Sequence, residues 1–131
     1  MHATVLAPET PTLILDPTDR APAEARRFLA ACFCEWGIKD DSDGRLVVSE
    51  LVTNALRHGS GEIIVRIFRD ENDGALTIEV WDQGTGEPLA KPESETEIHG
   101  RGLLTVEGIA IKWGTRPISE GGKIVWARLA A

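Results

Sequence analysis

The chain is short of cysteine, short of basic residues relative to acidic ones, and has no long apolar run; each shortage removes a class of protein. Its two cysteines, Cys32 and Cys34, stand two apart in a helical pattern, which points them about 200° apart and puts a bridge between them out of reach. A disulfide-stapled scaffold is excluded, and the pair reads as reduced thiols in a cytoplasmic protein. Lys and Arg number 14 against 21 Asp and Glu, for a net charge of −7, which repels phosphate backbones and anionic lipid. Direct nucleic-acid binding is not expected. No stretch approaches the ~20 apolar residues that span a bilayer, and the opening MHATVLAPETPTL has neither a charged start nor a continuous apolar segment. Neither membrane insertion nor export is expected. Internal repeats, linkers and low-complexity segments are also lacking.

What is present is an ordinary globular composition, 42% apolar and 27% charged over 131 residues, enough for one core and a single domain over 1–131. Residues 1–10 carry no periodicity and read as a flexible terminus. TLILD at 12–16 reads as a strand. Asp16-Pro17-Thr18-Asp19 then opens a helix over 19–36, with Ala23, Phe28, Leu29, Ala31, Cys32 and Phe33 at helical spacing until Gly37. The run Lys39–Asp43 caps a second helix whose core face is Leu46, Val47, Val48, Leu51, Val52, Ala55 and Leu56, stopped at His58-Gly59-Ser60-Gly61. EIIVRIFR at 62–69 and ALTIEVWD at 75–82 form an antiparallel hairpin, their connection ending in the Asp-Gly of a tight turn. An acidic loop at 83–99, a helix over 100–110 and strands at 111–117 and 123–129 complete the chain. This order lacks the regular βαβ alternation of a doubly wound fold. It predicts an α+β two-layer sandwich, a mixed, mainly antiparallel sheet with helices on one face. Trp36, Trp81, Trp113 and Trp126 read as core packing; a Trp on the helix-free sheet face would instead mark a dimer or partner surface.

Three polar motifs stand out. In the second helix Glu50, Thr53, Asn54 and Arg57 fall at i, i+3, i+4 and i+7, a stripe that on its own is what any amphipathic helix shows. Its narrower meaning is a carboxylate base one turn from a carboxamide oxygen, and Mg²⁺ takes few protein oxygens, filling its other positions with water or phosphate. Asp82-Gln83-Gly84-Thr85-Gly86 ends an apolar strand. There the carboxylate can accept from an exocyclic amine while glycines let backbone approach a ligand closely. Gly100-Arg101-Gly102-Leu103 opens a helix, and amide N–H groups at a helix start attract phosphate. Neither G-x-x-x-x-G-K-[ST] nor G-x-G-x-x-G occurs.

In this order, the motifs resemble the N, G1 and G2 boxes of the GHKL (histidine-kinase-like) ATPase superfamily and its Bergerat ATP-binding fold. LVVSELVTNALRHG at 46–59, GRGLLTVEGIAIKWG at 100–114 and GKIVWARL at 122–129 are similar to the anti-sigma-factor serine/threonine kinase branch. The resemblance covers about 110 residues and implies ATP and Mg²⁺ as cofactors, with Asn54 on the metal and Glu50 as the base or water-orienting group. It places Asp82 on the adenine amino group, Gly84, Gly86, Gly100, Gly102 and Leu103 around the nucleotide, and Arg101 near the triphosphate. Arg26, or its neighbour Arg27, matches the first-helix arginine that serves phosphoryl transfer or a sigma-factor contact. Relatives carry a Thr that helps hold adenine where this chain has Ile124, so weaker adenine affinity is expected. Glu87, Glu93, Glu95 and Glu97 of the acidic loop are expected to face solvent.

The implied function is an ATP-dependent kinase phosphorylating Ser or Thr on a STAS-type anti-anti-sigma partner, and through it transcription. A sigma-factor contact and a homodimer are left open. The alternative is a non-catalytic ATP-binding module that regulates by protein binding alone.

Overall fold

A computed structural model describes residues 10–84, 99–119 and 121–130, with the backbone alone at 99–101. Among these residues the elements run β1 (Thr12–Leu15), α1 (Ala21–Glu35), α2 (Ser42–His58), β2 (Ile63–Arg69), β3 (Leu76–Asp82), α3 (His99–Ile109), β4 (Lys112–Pro117) and β5 (Lys123–Leu129). The strands form one sheet in the order β1-β2-β3-β5-β4. Every described pairing is antiparallel, because two hairpins supply most of the sheet and α3 carries the chain across so that β5 inserts between β3 and β4. The α+β sandwich expected from the element order is the fold observed.

Strand alternation decides which face is buried. Ile63, Val65 and Ile67 of β2, Leu76, Ile78 and Val80 of β3, and Val125, Ala127 and Leu129 of β5 turn toward the helices. They meet Leu29 and Phe33 of α1 and Val47, Val48, Leu51 and Val52 of α2, all buried. Leu46 departs from expectation. It is 43% exposed because it heads the stripe that continues through Glu50, Thr53 and Arg57, one helical face away from the core.

Local chemistry sets the helix limits. Pro22 sits in the first turn of α1, where its missing N–H costs nothing. At the other end Gly37 takes φ 75°, its N–H donating to Cys34 O at 3.0 Å while Ile38 N–H donates to Phe33 O at 2.8 Å. That is a Schellman motif. Ahead of α2, Asp40 Oδ1 accepts from Ser42 N at 3.0 Å and Ser42 Oγ at 2.6 Å, and the Ser42 hydroxyl, then its amide, hold the Asp40 carboxyl below its ordinary value. The helix α2 stops at His58, as expected, with Gly59 extended at φ −100°, ψ −164°. The β2–β3 connection is longer than a tight turn. Arg69 pairs with Leu76, Asp70 N–H donates to Ala75 O, and Gly74, at φ 76°, donates to Asp70 O. Both cysteines are free; burial foremost, then the neighbouring Glu35 charge, pushes the Cys32 thiol up to about 11.

Two of the four tryptophans correct the expectation of core packing. Trp36 and Trp113 pack against the core, but the register puts Trp81 and Trp126 on the helix-free face, since each alternates with buried neighbours. There Trp81 Nε1 donates to Glu79 Oε1 at 3.0 Å, Arg116 reaches Glu79 Oε2 at 3.2 Å, and the Arg66 guanidinium lies 4.9 Å above the Phe68 ring. Trp126 covers Gly114, where a Cβ would stand 2.9 Å from the indole.

Candidate functional site

The site is built where β3 ends and β5 begins, against the end of α2. Asp82 keeps the helix-side orientation of Ile78 and Val80, so the alternation that fills the core delivers a carboxylate to its rim. Asp82 is 3% exposed. Its Oδ1 accepts from Gly84 N at 2.7 Å and from Lys123 Nζ at 3.0 Å, while its Oδ2 is buried with no hydrogen-bond partner among the described residues. A buried charged oxygen left unpaired is costly unless something else approaches it.

Three glycines pack closely around Asp82, two against its carboxylate and one against its backbone. A Cβ on Gly59 would overlap the Asp82 carboxyl carbon and come within 2.5 Å of Oδ1; close approach, rather than a special dihedral, requires glycine at this helix end. A Cβ on Gly84 would stand 2.7 Å from Gly59 Cα, and one on Gly122 would overlap the Asp82 carbonyl oxygen. Gln83 N–H donates to Ser60 O at 3.0 Å, tying the end of β3 to the segment after α2.

Of the α2 stripe, Asn54 is 7% exposed and its Nδ2 has no partner among the described residues. Turning the carboxamide over presents Oδ1 in the same place, so the residue fits a metal or phosphate ligand. Among the described residues no group of three His, Cys, Asp or Glu side chains could hold a metal ion. A Mg²⁺ ion held at Asn54 would fill its other positions with water and phosphate oxygens. Glu50, half-buried, points at α3: a Cβ on Gly102 would lie 2.6 Å from its Oε1. Gly100, Arg101 and Gly102 fall inside the first turn of α3, whose leading amides have no intrahelical acceptor. Leu103 follows, half-buried.

The other expected residues separate. Arg26 lies on α1, its Nη1 donating to Ser49 Oγ at 2.8 Å, which engages it with the α2 residue that precedes Glu50. Arg27 is exposed. Gly86 and Glu87, Glu93, Glu95 and Glu97 lie outside the described residues, as does the Arg101 side chain. Ile124 has the opposite strand parity to Asp82 and Lys123. It pairs with Trp81 and Arg116 on the helix-free face. The residue that faces Asp82 is Lys123, directly opposite it in the register. Sequence reasoning passed over Lys123 because a lysine after two glycines reads as exposed; pairing the expected strands residue by residue would have found it.

An antiparallel sheet layered with helices, carrying an orphaned carboxylate, an orphaned carboxamide and a helix start at one end, defines an α+β ligand-binding domain. Residues 15–129 match the histidine kinase-like ATPase domain, and the chain belongs to that family. It is similar to a protein named anti-sigma F factor from Clostridium botulinum, at 35% identity over a match covering 53% of this chain and 57% of the relative. The match thus spans little more than half the length of that curated relative.

Proposed function

We propose that the chain binds Mg-ATP at the Asp82 end of the sheet and transfers the γ-phosphoryl group to a Ser or Thr hydroxyl of a STAS-type anti-anti-sigma partner, acting as an anti-sigma kinase. The observation that carries this reading is the pair of buried polar atoms without partners, Asp82 Oδ2 and Asn54 Nδ2, in a chain of the histidine kinase-like ATPase family. The printed name of its relative supports the regulatory setting.

In this reading Asp82 accepts from the base amino group, and the backbone glycines at 59, 84 and 122 keep the approach open. The first-turn amides of α3 donate to phosphate oxygens. Mg²⁺, held by Asn54, would neutralise charge on the phosphates. Glu50 accepts the proton of the partner hydroxyl as its oxygen forms the new bond to phosphorus and the bond to the ADP oxygen breaks. Arg26 contributes a cation on the neighbouring helix.

The test is incubation of the pure protein with γ-labelled ATP, Mg²⁺ and STAS proteins from the same genome. Label on one of them, as phosphoserine or phosphothreonine, is the expected result. If Mg-ATP and the partner bind together and mass spectrometry finds neither phosphoamino acid, transfer is refuted and the non-catalytic switching module stands in its place.

A further inference from the structure

Strand parity brings a second polar side chain to the Asp82 end of the sheet. Lys123 stands opposite Asp82 across the β3–β5 ladder, and the two side chains are 4% and 1% exposed, with Nζ 3.0 Å from Oδ1. Lysine is almost never buried this fully without a partner, and an ammonium carries three N–H donors. Among the described residues its only hydrogen-bond acceptor is Asp82 Oδ1. The same Oδ1 accepts from Gly84 N at 2.7 Å, which fixes the carboxylate and leaves Oδ2 as the oxygen with no donor. The pair therefore presents a spare acceptor beside a spare donor in a set order. Buried polar capacity of this kind is costly unless a ligand takes it up.

We infer that Lys123 is a specificity-determining residue whose ammonium donates to the N1 nitrogen of adenine, so that the Asp82–Lys123 pair reads two adjacent ring positions where Asp82 alone reads one. The inference rests on the reading of Asp82 as the residue that meets the base amino group. Along its six-membered ring adenine offers an amino N–H donor and next to it the N1 lone pair, which matches Oδ2 followed by the ammonium. Guanine and hypoxanthine carry the opposite order, O6 as acceptor and N1–H as donor. Held in the same pose, they set O6 against a carboxylate oxygen and N1–H against an ammonium, and both buried groups of the protein go unpaired. A carboxylate without the lysine would supply only the first of these mismatches. Rejection is strong where the wrong ligand leaves buried polar groups of the site unpaired, so the lysine adds a second, independent penalty to the first.

The experiment is competition binding of Mg-ATP, Mg-ITP and Mg-1-deaza-ATP, in which a C–H replaces N1, to the wild-type protein and to Lys123→Met. Wild type should bind ATP at least about tenfold tighter than 1-deaza-ATP and at least about a hundredfold tighter than ITP. Lys123→Met should bring ATP and 1-deaza-ATP to within about threefold of each other while Asp82 still disfavours ITP. A merely structural lysine would not move that ratio, because loosening the site weakens both adenine analogues alike. Wild type that rejects ITP but binds 1-deaza-ATP as tightly as ATP overturns the role of Lys123 and leaves that of Asp82 standing, as does a Lys123→Met protein that keeps the wild-type ratio. Should Lys123→Met fail to melt as a folded protein, the wild-type ratio of ATP to 1-deaza-ATP decides. Wild type that binds ATP and ITP equally, or neither, overturns the reading of Asp82 on which the inference rests.

Discussion

The paired strands β3 and β5 carry an aspartate–cation pair at each end, and the two pairs are built on opposite terms. At the hairpin end Arg128 reaches Asp70 Oδ2 at 3.1 Å and Asp73 Oδ2 at 2.8 Å, while Asp70 Oδ1 accepts from Asn72 N and Asp73 Oδ1 from Ala75 N. Every carboxylate oxygen there has a donor, and the side chains remain partly open to solvent. At the far end Asp82 and Lys123 are buried, and one carboxylate oxygen is left without a donor. The exposed network closes a turn and has nothing left to offer, whereas the buried one holds unsatisfied groups where water is scarce. Unspent hydrogen-bonding capacity in a buried place is the mark of a binding end.

Breaking each pair in turn separates the two most widely. Asp82→Ala leaves a lysine buried without its counter-charge and should destabilise the fold by about 3–5 kcal/mol, read by urea denaturation. Arg128→Ala removes a partly exposed, solvent-screened cation and should move the same transition less. Equal shifts would erase the distinction between the ends.

Chemistry should divide the same way. Glu50→Gln, against the first turn of α3, should cut phosphorylation of a STAS partner by at least roughly a hundredfold with Mg-ATP affinity nearly intact, while Arg128→Ala leaves the transfer rate unchanged. A Glu50→Gln protein that transfers at the wild-type rate removes Glu50 as the base.

Glycines sharpen the contrast further. Gly59 is needed for space, so Gly59→Ala should cost about 1–3 kcal/mol by forcing its methyl into Asp82. Gly74 is needed for its positive φ, and asparagine visits that conformation readily. Thermal melting should therefore find Gly74→Asn close to wild type, whereas Gly59→Asn is no better tolerated than Gly59→Ala.

The smallest effect is that of acid. The Asn72 amide first, then Arg128, hold the Asp70 carboxyl below its ordinary value. A depressed folded-state value means the stabilisation is complete above the ordinary carboxylate range and is lost as pH falls through the lowered one. The acid limb of a melting-temperature profile should be shallower in Arg128→Ala than in wild type.

Strands and helices were legible to within a residue or two because alternation and helical spacing are enforced by a single buried face. β5 was read at 123–129 and is found there. What escaped is what depends on a partner distant in sequence. Leu46 looked like core because Val47 and Val48 follow it directly, and Gly59 read as no more than a helix stop because nothing local announces Asp82. Ile124 and Lys123 traded roles for the same reason: which of two neighbours faces the site is a matter of strand parity, and only the pairing with Asp82 settles it. Trp81 and Trp126 escaped similarly, since size favours the core but parity assigned them to the other face.

The central claim is that the Asp82 end, and not the hairpin end, receives the nucleotide. Titrating the ¹⁵N-labelled protein with Mg-ATP and following amide shifts tests it most directly. The account predicts saturable shifts at Asn54, Gly59, Gly84, Gly122 and Lys123, with Asn72, Gly74 and Ala75 unmoved. Shifts gathered around Asn72–Ala75, or none at saturating Mg-ATP, would contradict it.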